Sequence, residues 1–586
     1  MRNDAPWTIA LDGGETPDPA LVGGKAWSIA WMSELGLSVP PAFVITTRAC
    51  TAFLNNEDMP PGLDEEIWEG IAWLEEQSGR SFGGGPRPLL VSVRSGAPVS
   101  MPGMMDTVLN LGINRQTEQL LGAECADERF ARDTHCRFLD LYGSIVLKAP
   151  SAHFDGDTHV DALKAEIAAA AGAEIPDDVR EQLKGAVRAV FESWNSRRAR
   201  RYRQHHGISD DLGTAVTVQA MAFGNIDEQS GTGVLFTRNP LDGGNAPYGE
   251  YMQRAQGEDL VSGRRTPQPL TAMEASVPEA YQELIAAARK LEQAHGDVQD
   301  IEFTVECGKL YLLQTRSAKR APKAAVRIAV EMVEEGRIGP VEALRRVTPE
   351  QVRILLSPQL ADGAADGATI LAEGESASPG VAQGVVVIDP DEAEERARNG
   401  EAVVLARPTT SPNDVHGMIA ARAILTEKGG STSHAAVVGR ALGRPCVVGC
   451  GEGNLVGLAG RTVTVDGQAG RVYEGSLDVV SPSEDDDPAL SQLLRWAAEH
   501  GKIQVEAVAP ADAVDLDALP GGPERLDETF ASVPRGAAVR GAVLASDDGV
   551  RAAIAAGVGT IVTSPRLPAL LQVAQAQIAA AGGKGD

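Results

Sequence analysis

Two periodicities of apolar and polar positions divide this chain into stretches. Residues 7–48 read as a strand, a glycine turn at Gly23-Gly24-Lys25, a helix from Ala26 to Leu35 and, past a double proline, a second strand. A β-rich run at 89–112 is interrupted after Arg94-Ser95-Gly96 by a mobile loop that holds Pro98, Pro102 and Gly103. Residues 115–210 are helical in pattern, with amphipathic runs at 160–171 and 177–204. From 213 the strand period returns in TAVTVQAMAFG, TGVLFTRNP and YGEYMQRAQGEDLVSG. A helix over 278–294 then leads into DIEFTVECGKLYLLQTR, two alternating strands turned at Cys307-Gly308. Residues 318–372 are helical and end in ADGAADGAT, a hinge composition. Strands and a short acidic helix come next, then the strand around Ile424-Leu425, a break at Gly429-Gly430, and a helix-like run from Ser433 to near Gly443. Beyond Gly475 much of the chain has linker composition.

Length and charge narrow the possibilities. A chain of 586 residues holds several domains, and its 43% hydrophobic content allows ordinary cores. A net charge of −28 argues against a nucleic-acid or anionic-membrane surface, so any nucleotide site must gather its basic residues locally. The basic string Arg197, Arg198, Arg200, Arg201 and Arg203 reads accordingly as one charged helix face. The six cysteines show no paired metal spacing, and Cys446 and Cys450, in an apolar run, read as buried thiols. The N-terminus lacks a secretory apolar region and no apolar run reaches about 18 residues, which gives the expectation of a soluble, cytoplasmic protein without membrane partners.

Three places carry candidate chemistry. His434 falls in the first turn of a helix, just after a double glycine and the hydroxyls of Ser431, Thr432 and Ser433. The first N–H groups of a helix lack internal partners and favour an anion, so a phosphoryl group on the imidazole suits this position. In the hairpin, Asp300 and Glu302 point to one face and Gln314 and Arg316 do the same on the return strand. Carboxylate and amide oxygens on such a wall suit magnesium with nucleotide phosphates, although a surface ladder of ion pairs has the same pattern. Lys25 beside two glycines and Arg94 at a strand end suit phosphate, the arginine through its planar fork. The Met101, Met104 and Met105 cluster reads as core.

The string GGSTSHAAVVGRALGRPCVVG resembles the phosphohistidine signature of the pyruvate, phosphate dikinase and phosphoenolpyruvate synthase group. The segments VGGKAWSIAWM, LLVSVRSGAPVSMPGMMDTVLNLG, GTGVLFTRNPLDGG, YGEYMQRAQGEDLVSGRRTPQPL and DIEFTVECGKLYLLQTR resemble, in order, the nucleotide-binding half of pyruvate, phosphate dikinase. The resemblance implies an α/β and α+β multidomain fold. An ATP-grasp domain would span 1–320 with a helical insertion at about 115–210, a helical linker 321–370, and a swivelling α/β phosphohistidine domain 371–478. Residues 479–586 would form a linker and a small, truncated, barrel-like α/β segment packed on the histidine domain or on a partner. By matching position, Lys25, Arg94, Asp300, Arg316 and Glu258 would bind ATP and its phosphates, Glu302 and Gln314 would hold Mg²⁺, and His434 would carry the phosphoryl group. Thr432 matches a regulatory phosphorylation site of plant members.

The resemblance weakens towards the C-terminus. A phosphoenolpyruvate-binding (β/α)8 barrel needs about 250 residues, and about a hundred follow Gly475. The family's Cys-Arg-Thr-Glu run is replaced by Ser564-Pro565-Arg566-Leu567. The expectation is therefore an ATP-dependent histidine phosphotransferase using ATP and inorganic phosphate, without pyruvate turnover by residues 1–586 alone. Pyruvate or another acceptor would be served through a separate protein; a homodimer is compatible with this. A non-catalytic nucleotide-binding scaffold is the alternative of another class.

Overall fold

The computed structural model describes residues 6–582 except 100, 102–103, 156–157, 262–265, 357–358, 362, 379, 442–443, 481, 520–525 and 546. Pro102 and Gly103 of the interrupting loop, and the end of the histidine helix at Gly443, lie outside the described residues. Strands Gln299–Glu306 and Lys309–Ser317 pair antiparallel around Cys307 and Gly308, both at positive φ (49° and 81°), which two-residue hairpins favour. The first of them also pairs with Gly231–Phe236, and that strand with Tyr248–Gln253, in a five-stranded sheet edged by Gln268–Pro269. Alternation gives this sheet two unlike faces. Leu235, Tyr251, Ile301 and Phe303 pack in one core with helices Pro19–Glu34 and Pro278–His295. The other face holds the charged residues of the hairpin.

A second five-stranded sheet runs in the order Thr8–Ala10, Ala42–Ile45, Ala215–Ala220, Val91–Gly96, Thr107–Leu111. Its core is shared with helices Leu63–Ser78, Glu128–Ile145 and Val179–Ser193. The amphipathic run read over 177–204 is two helices, Val179–Ser193 and Arg197–His206. The break has a local cause: Ser196 accepts from Ala199 N–H and caps the second helix. The arginine string divides by burial, as Arg203 is enclosed and paired with Asp210 while Arg197, Arg200 and Arg201 are exposed.

Residues 370–480 build an eight-stranded sheet whose middle strands, Val381–Val387, Val403–Arg407, Ala423–Thr426 and Cys446–Val448, run parallel. Cys446 and Cys450 are buried free thiols there, as their apolar run predicts.

The C-terminal stretch forms four parallel strands in the open order Gln504–Glu506, Thr560–Val562, Ala538–Arg540, Val514–Asp515. The expectation is packing on the histidine domain or on a partner; its core instead includes helices that precede the histidine domain. Val326, Leu344, Val347 and Val352, from helices 322–355, complete one apolar cluster with Leu493, Ile561, Leu567 and Leu571. Gln575 ties the two parts by donating to the carbonyls of Leu344 and Val347 at 2.7 and 2.8 Å. The apolar faces of those three helices explain the difference, since they require a partner surface and the helix Leu567–Gly582 supplies one. On the other side, buried Arg238, just past strand Gly231–Phe236, pairs with Glu331 (3.5 Å) and Glu335 (2.7 Å) at the end of helix Pro322–Glu334 and with Glu292 (3.0 Å) of helix Pro278–His295. Among the described residues no helix is long and apolar enough to cross a membrane.

Because Leu493 is fully buried in the shared cluster, Leu493→Ala is expected to destabilise it by about 2–5 kcal/mol. Calorimetry of the full chain should then show the first unfolding transition move to lower temperature, with nucleotide affinity unchanged.

Candidate functional site

Helix Pro19–Glu34 is interrupted at Gly23, whose φ is 75°. A β-carbon there would lie 1.9 Å from the carbonyl oxygen of Gly96, so only glycine permits the approach. Gly24 N–H donates to the carbonyl of Ala97 at 3.0 Å. This seating of the glycine pair on the end of strand Val91–Gly96 brings Lys25 beside Arg94. Arg94 in turn reaches across to the hairpin sheet, its Nη2 lying 3.2 Å from Glu302 Oε2 and 3.5 Å from Gln314 Oε1. Arg316 donates through Nε to Asp300 Oδ2 at 2.7 Å. The structure thus gathers six of the sequence-selected residues, Lys25, Arg94, Asp300, Glu302, Gln314 and Arg316, in the cleft between the two sheets.

Their electrostatics are coupled. Burial pushes the Lys25 ammonium down to about 7, and the Arg94 guanidinium pushes the same way, against the pull of Glu302. Burial would raise the Glu302 carboxyl, but Arg94, Arg316 and Lys25 outweigh it and hold the group below its ordinary range. Asp300 is the main cause of the raised Arg316 value. Glu258 is half-buried in the first turn of helix Gly257–Val261.

His434 opens the helix His434–Ala441, separated from the glycine pair by Ser431, Thr432 and Ser433. Its Nδ1 lies 3.1 Å from the hydroxyl of Thr410, while Nε2 and the neighbouring Ser433 Oγ are buried and find no hydrogen-bond partner among the described residues. Burial lowers the imidazole to about 4, opposed by the charge of Asp414, so the ring is neutral at pH 7. Buried Asp414 fixes the loop bearing Thr410, accepting from Ser411 N–H at 2.6 Å and pairing with Arg407 at 3.1 Å. Sequence reading missed Thr410 and Asp414, although Ser411-x-x-Asp414 is a legible capping pattern.

The histidine loop also meets the hairpin sheet. Glu250 accepts hydrogen bonds from Ser431 Oγ (3.1 Å) and from the Thr432 hydroxyl. The Tyr248 hydroxyl lies 2.9 Å from Ser431 Oγ and 3.2 Å from Glu375. An apolar contact adds to these: Met101 and Met104, with Ala97, form a cluster with Val415 of the histidine unit. The methionines are therefore core, but of an interface rather than of one sheet.

Comparison with known proteins fits this arrangement of a cleft between two sheets and a separate histidine-bearing unit. The family described as pyruvate phosphate dikinase, AMP/ATP-binding domain, matches residues 19–60, 54–280 and 271–337. The family described as PEP-utilising enzyme, mobile domain, matches residues 399–470. The class is thus a multidomain α/β protein joining a nucleotide-binding domain to a mobile domain. The chain belongs to the pyruvate phosphate dikinase family. It is 41% identical to the pyruvate, phosphate dikinase of Clostridium symbiosum over 557 residues, covering 89% of this chain and 63% of that one. It is 43% identical to the Rhizobium meliloti protein of that name, covering 85% and 61% respectively. The chloroplastic pyruvate, phosphate dikinase 1 of Arabidopsis thaliana is 43% identical, with 84% and 55% covered. The chain spans about six tenths of the length of the curated relatives it matches.

The cleft makes Lys25 an unusual amine. With no nucleotide added, its titration is expected to show a midpoint near pH 7, followed by reactivity towards an amine reagent at that residue. Arg94→Met removes a charge that disfavours the ammonium, so the midpoint should rise; a midpoint near 10 in the unaltered protein would contradict the geometry.

Proposed function

We propose that this chain is an ATP-dependent phosphotransferase of dikinase type that takes a phosphoryl group onto His434. The observation that carries the reading is the pair of buried atoms at the start of the histidine helix. Among the described residues, His434 Nε2 and Ser433 Oγ find no hydrogen-bond partner, beside helix N–H groups that favour an anion. Thr410 supports the same assignment of nitrogens. If Nδ1–H donates to its hydroxyl, the lone pair resides on Nε2, which becomes the nucleophile.

In this reading ATP lies in the cleft, with its phosphates against Lys25, Arg94 and Arg316. The Nε2 lone pair attacks the β-phosphorus, the bond to the bridging α–β oxygen breaks, and AMP leaves. The γ-phosphoryl then passes to inorganic phosphate as pyrophosphate, leaving one phosphoryl group on His434. The cleft cations neutralise charge that develops on the transferring group, and their contacts are worth about 3 kcal/mol each, or roughly a hundredfold in rate. The carboxylate of Glu302 and the amide oxygen of Gln314, facing each other across the hairpin, are the hard oxygen donors that magnesium takes alongside nucleotide phosphates. Bound there, the ion would offset charge on the β- and γ-phosphates. Residues 371–478 would act as the carrier, and the relatives' shared name makes pyruvate the first acceptor to try.

Incubation with Mg²⁺, phosphate and ATP labelled at the β-position should leave acid-labile, base-stable label on the protein, absent in His434→Ala. Label retained in that variant, or arising only from the γ-position, would overturn the reading. Thr410→Val should slow single-turnover labelling about tenfold, the loss of one hydrogen bond of ~1–1.5 kcal/mol, while nucleotide affinity stays within twofold.

A further inference from the structure

Strand Thr107–Leu111, at the edge of the sheet that carries Arg94, is not regular. Val93 stands opposite Val108 and Val91 opposite Leu111, so Leu109 and Asn110 span the distance that Ser92 spans alone on the neighbouring strand. Such a β-bulge re-aims a side chain, and bulges gather beside functional sites. Asn110 lies within this one at φ 58°, in the left-handed region, and is fully buried. Three residues before it, Thr107 stands directly opposite Arg94 of the charged cleft.

The side chain reaches away from its own sheet. Asn110 Nδ2 lies 3.5 Å from Oε1 of buried Gln256, in the loop that follows strand Tyr248–Gln253. Gln256 in turn donates through Nε2 to Asn225 Oδ1 at 3.3 Å, and its backbone N–H donates to Asp259 Oδ2 at 3.0 Å. The far end of the same loop is held from the helical insertion, where Arg137 Nη1 donates to Asp259 Oδ1 at 2.8 Å. Between these two fixed residues stands Glu258. Asn110 thus makes a crossing from one sheet to the other in addition to that of Arg94 to Glu302. Fold stability does not account for it. Glycine would take this φ without strain, whereas asparagine keeps there an amide whose Oδ1 is buried and finds no partner among the described residues. A strained backbone and an unsatisfied buried oxygen both cost the fold.

We propose that Asn110 is a positioning residue that holds the 256–259 loop and so sets Glu258 against the nucleotide in the cleft. That Glu258 meets nucleotide rests on the function proposed above. In this role the amide touches neither ATP nor His434. It fixes Gln256, and Gln256 together with the Arg137–Asp259 pair fixes the turn that carries the Glu258 carboxylate. An amide suits the task because it can donate to one neighbour and accept from another. Being neutral, it also leaves the balance of charge in the cleft unchanged.

Asn110→Gly and Asn110→Ala both remove the amide, but only alanine also strains the backbone. Single-turnover labelling of His434 is expected to slow about tenfold in both, the scale of one lost hydrogen bond. Calorimetry should meanwhile place the first unfolding transition of the alanine variant below that of the glycine variant. Asn110→Asp, which tolerates the same φ and keeps an oxygen to which Gln256 Nε2 can donate, should label at an intermediate rate. Amide hydrogen exchange over 255–259 should rise in the glycine variant, while exchange over the hairpin 299–317 stays as it was. Because Asn110 acts through Glu258, the losses should not add: in a Glu258→Ala chain, Asn110→Gly is expected to change the labelling rate by no more than about twofold. Additive losses, unchanged exchange over 255–259, or labelling rates that follow the unfolding temperatures of the three variants would each overturn the proposal. Should the unaltered chain take no label from ATP, the proposed function fails, while the exchange over 255–259 still decides whether Asn110 holds the loop.

Discussion

Three cations share two carboxylates in the cleft between the sheets. Lys25, Arg94 and Arg316 face Asp300 and Glu302, and the ammonium is the member that yields, its value falling to about 7. A surplus of buried positive charge is costly unless an anion joins it. The surrounding architecture is built to hold the surplus all the same. Gly23 lets a helix break touch a strand end, Arg94 bridges one sheet to the other, and the hairpin register stations the acids opposite Gln314 and Arg316. A polyanion such as the nucleoside triphosphate proposed above would offset this imbalance of charge.

The second constraint is that a single sheet face serves both the charges and the histidine loop. Glu250 pairs with Val234, and Val234 with Glu302, so backbone hydrogen bonds tie the carboxylate that meets the histidine loop to the charged residues of the hairpin. The histidine unit meets the first sheet as well, through the methionines that follow strand Val91–Gly96. It therefore spans the cleft, polar at one end and apolar at the other.

Much of this was legible in the residues. The period-two alternation of 300–316 with a Cys-Gly turn could form little other than a hairpin, and that fixed which side chains share a wall. The glycine pair before His434 likewise located a helix start. Other features depended on pairing between distant segments, which local pattern does not record. Nothing in YGEYMQ distinguishes Glu250, which faces a partner unit, from a carboxylate facing water. The helices at 322–355 have the composition of a linker, and their apolar faces find cover only in residues some 150–250 positions further on. Ser196 has the residue type of a helix cap, but the arginines around it mask the change of helix. The methionines looked like core, and only the placement of Val415 shows that the core joins two units.

We propose that His434 receives phosphoryl with the histidine unit placed against the two sheets as it is here. The most direct measurement uses the chain labelled with ¹³C in its histidine rings and ATP bound with Mn²⁺ in place of Mg²⁺. Broadening by the paramagnetic ion falls steeply with distance, so it reports which rings lie near the bound phosphates. The account predicts that the His434 ring signals are broadened strongly on adding Mn²⁺–ATP, and that they remain sharp when Arg94 and Arg316 are replaced so that nucleotide no longer binds. His434 signals untouched by saturating Mn²⁺–ATP in the unaltered chain would contradict it.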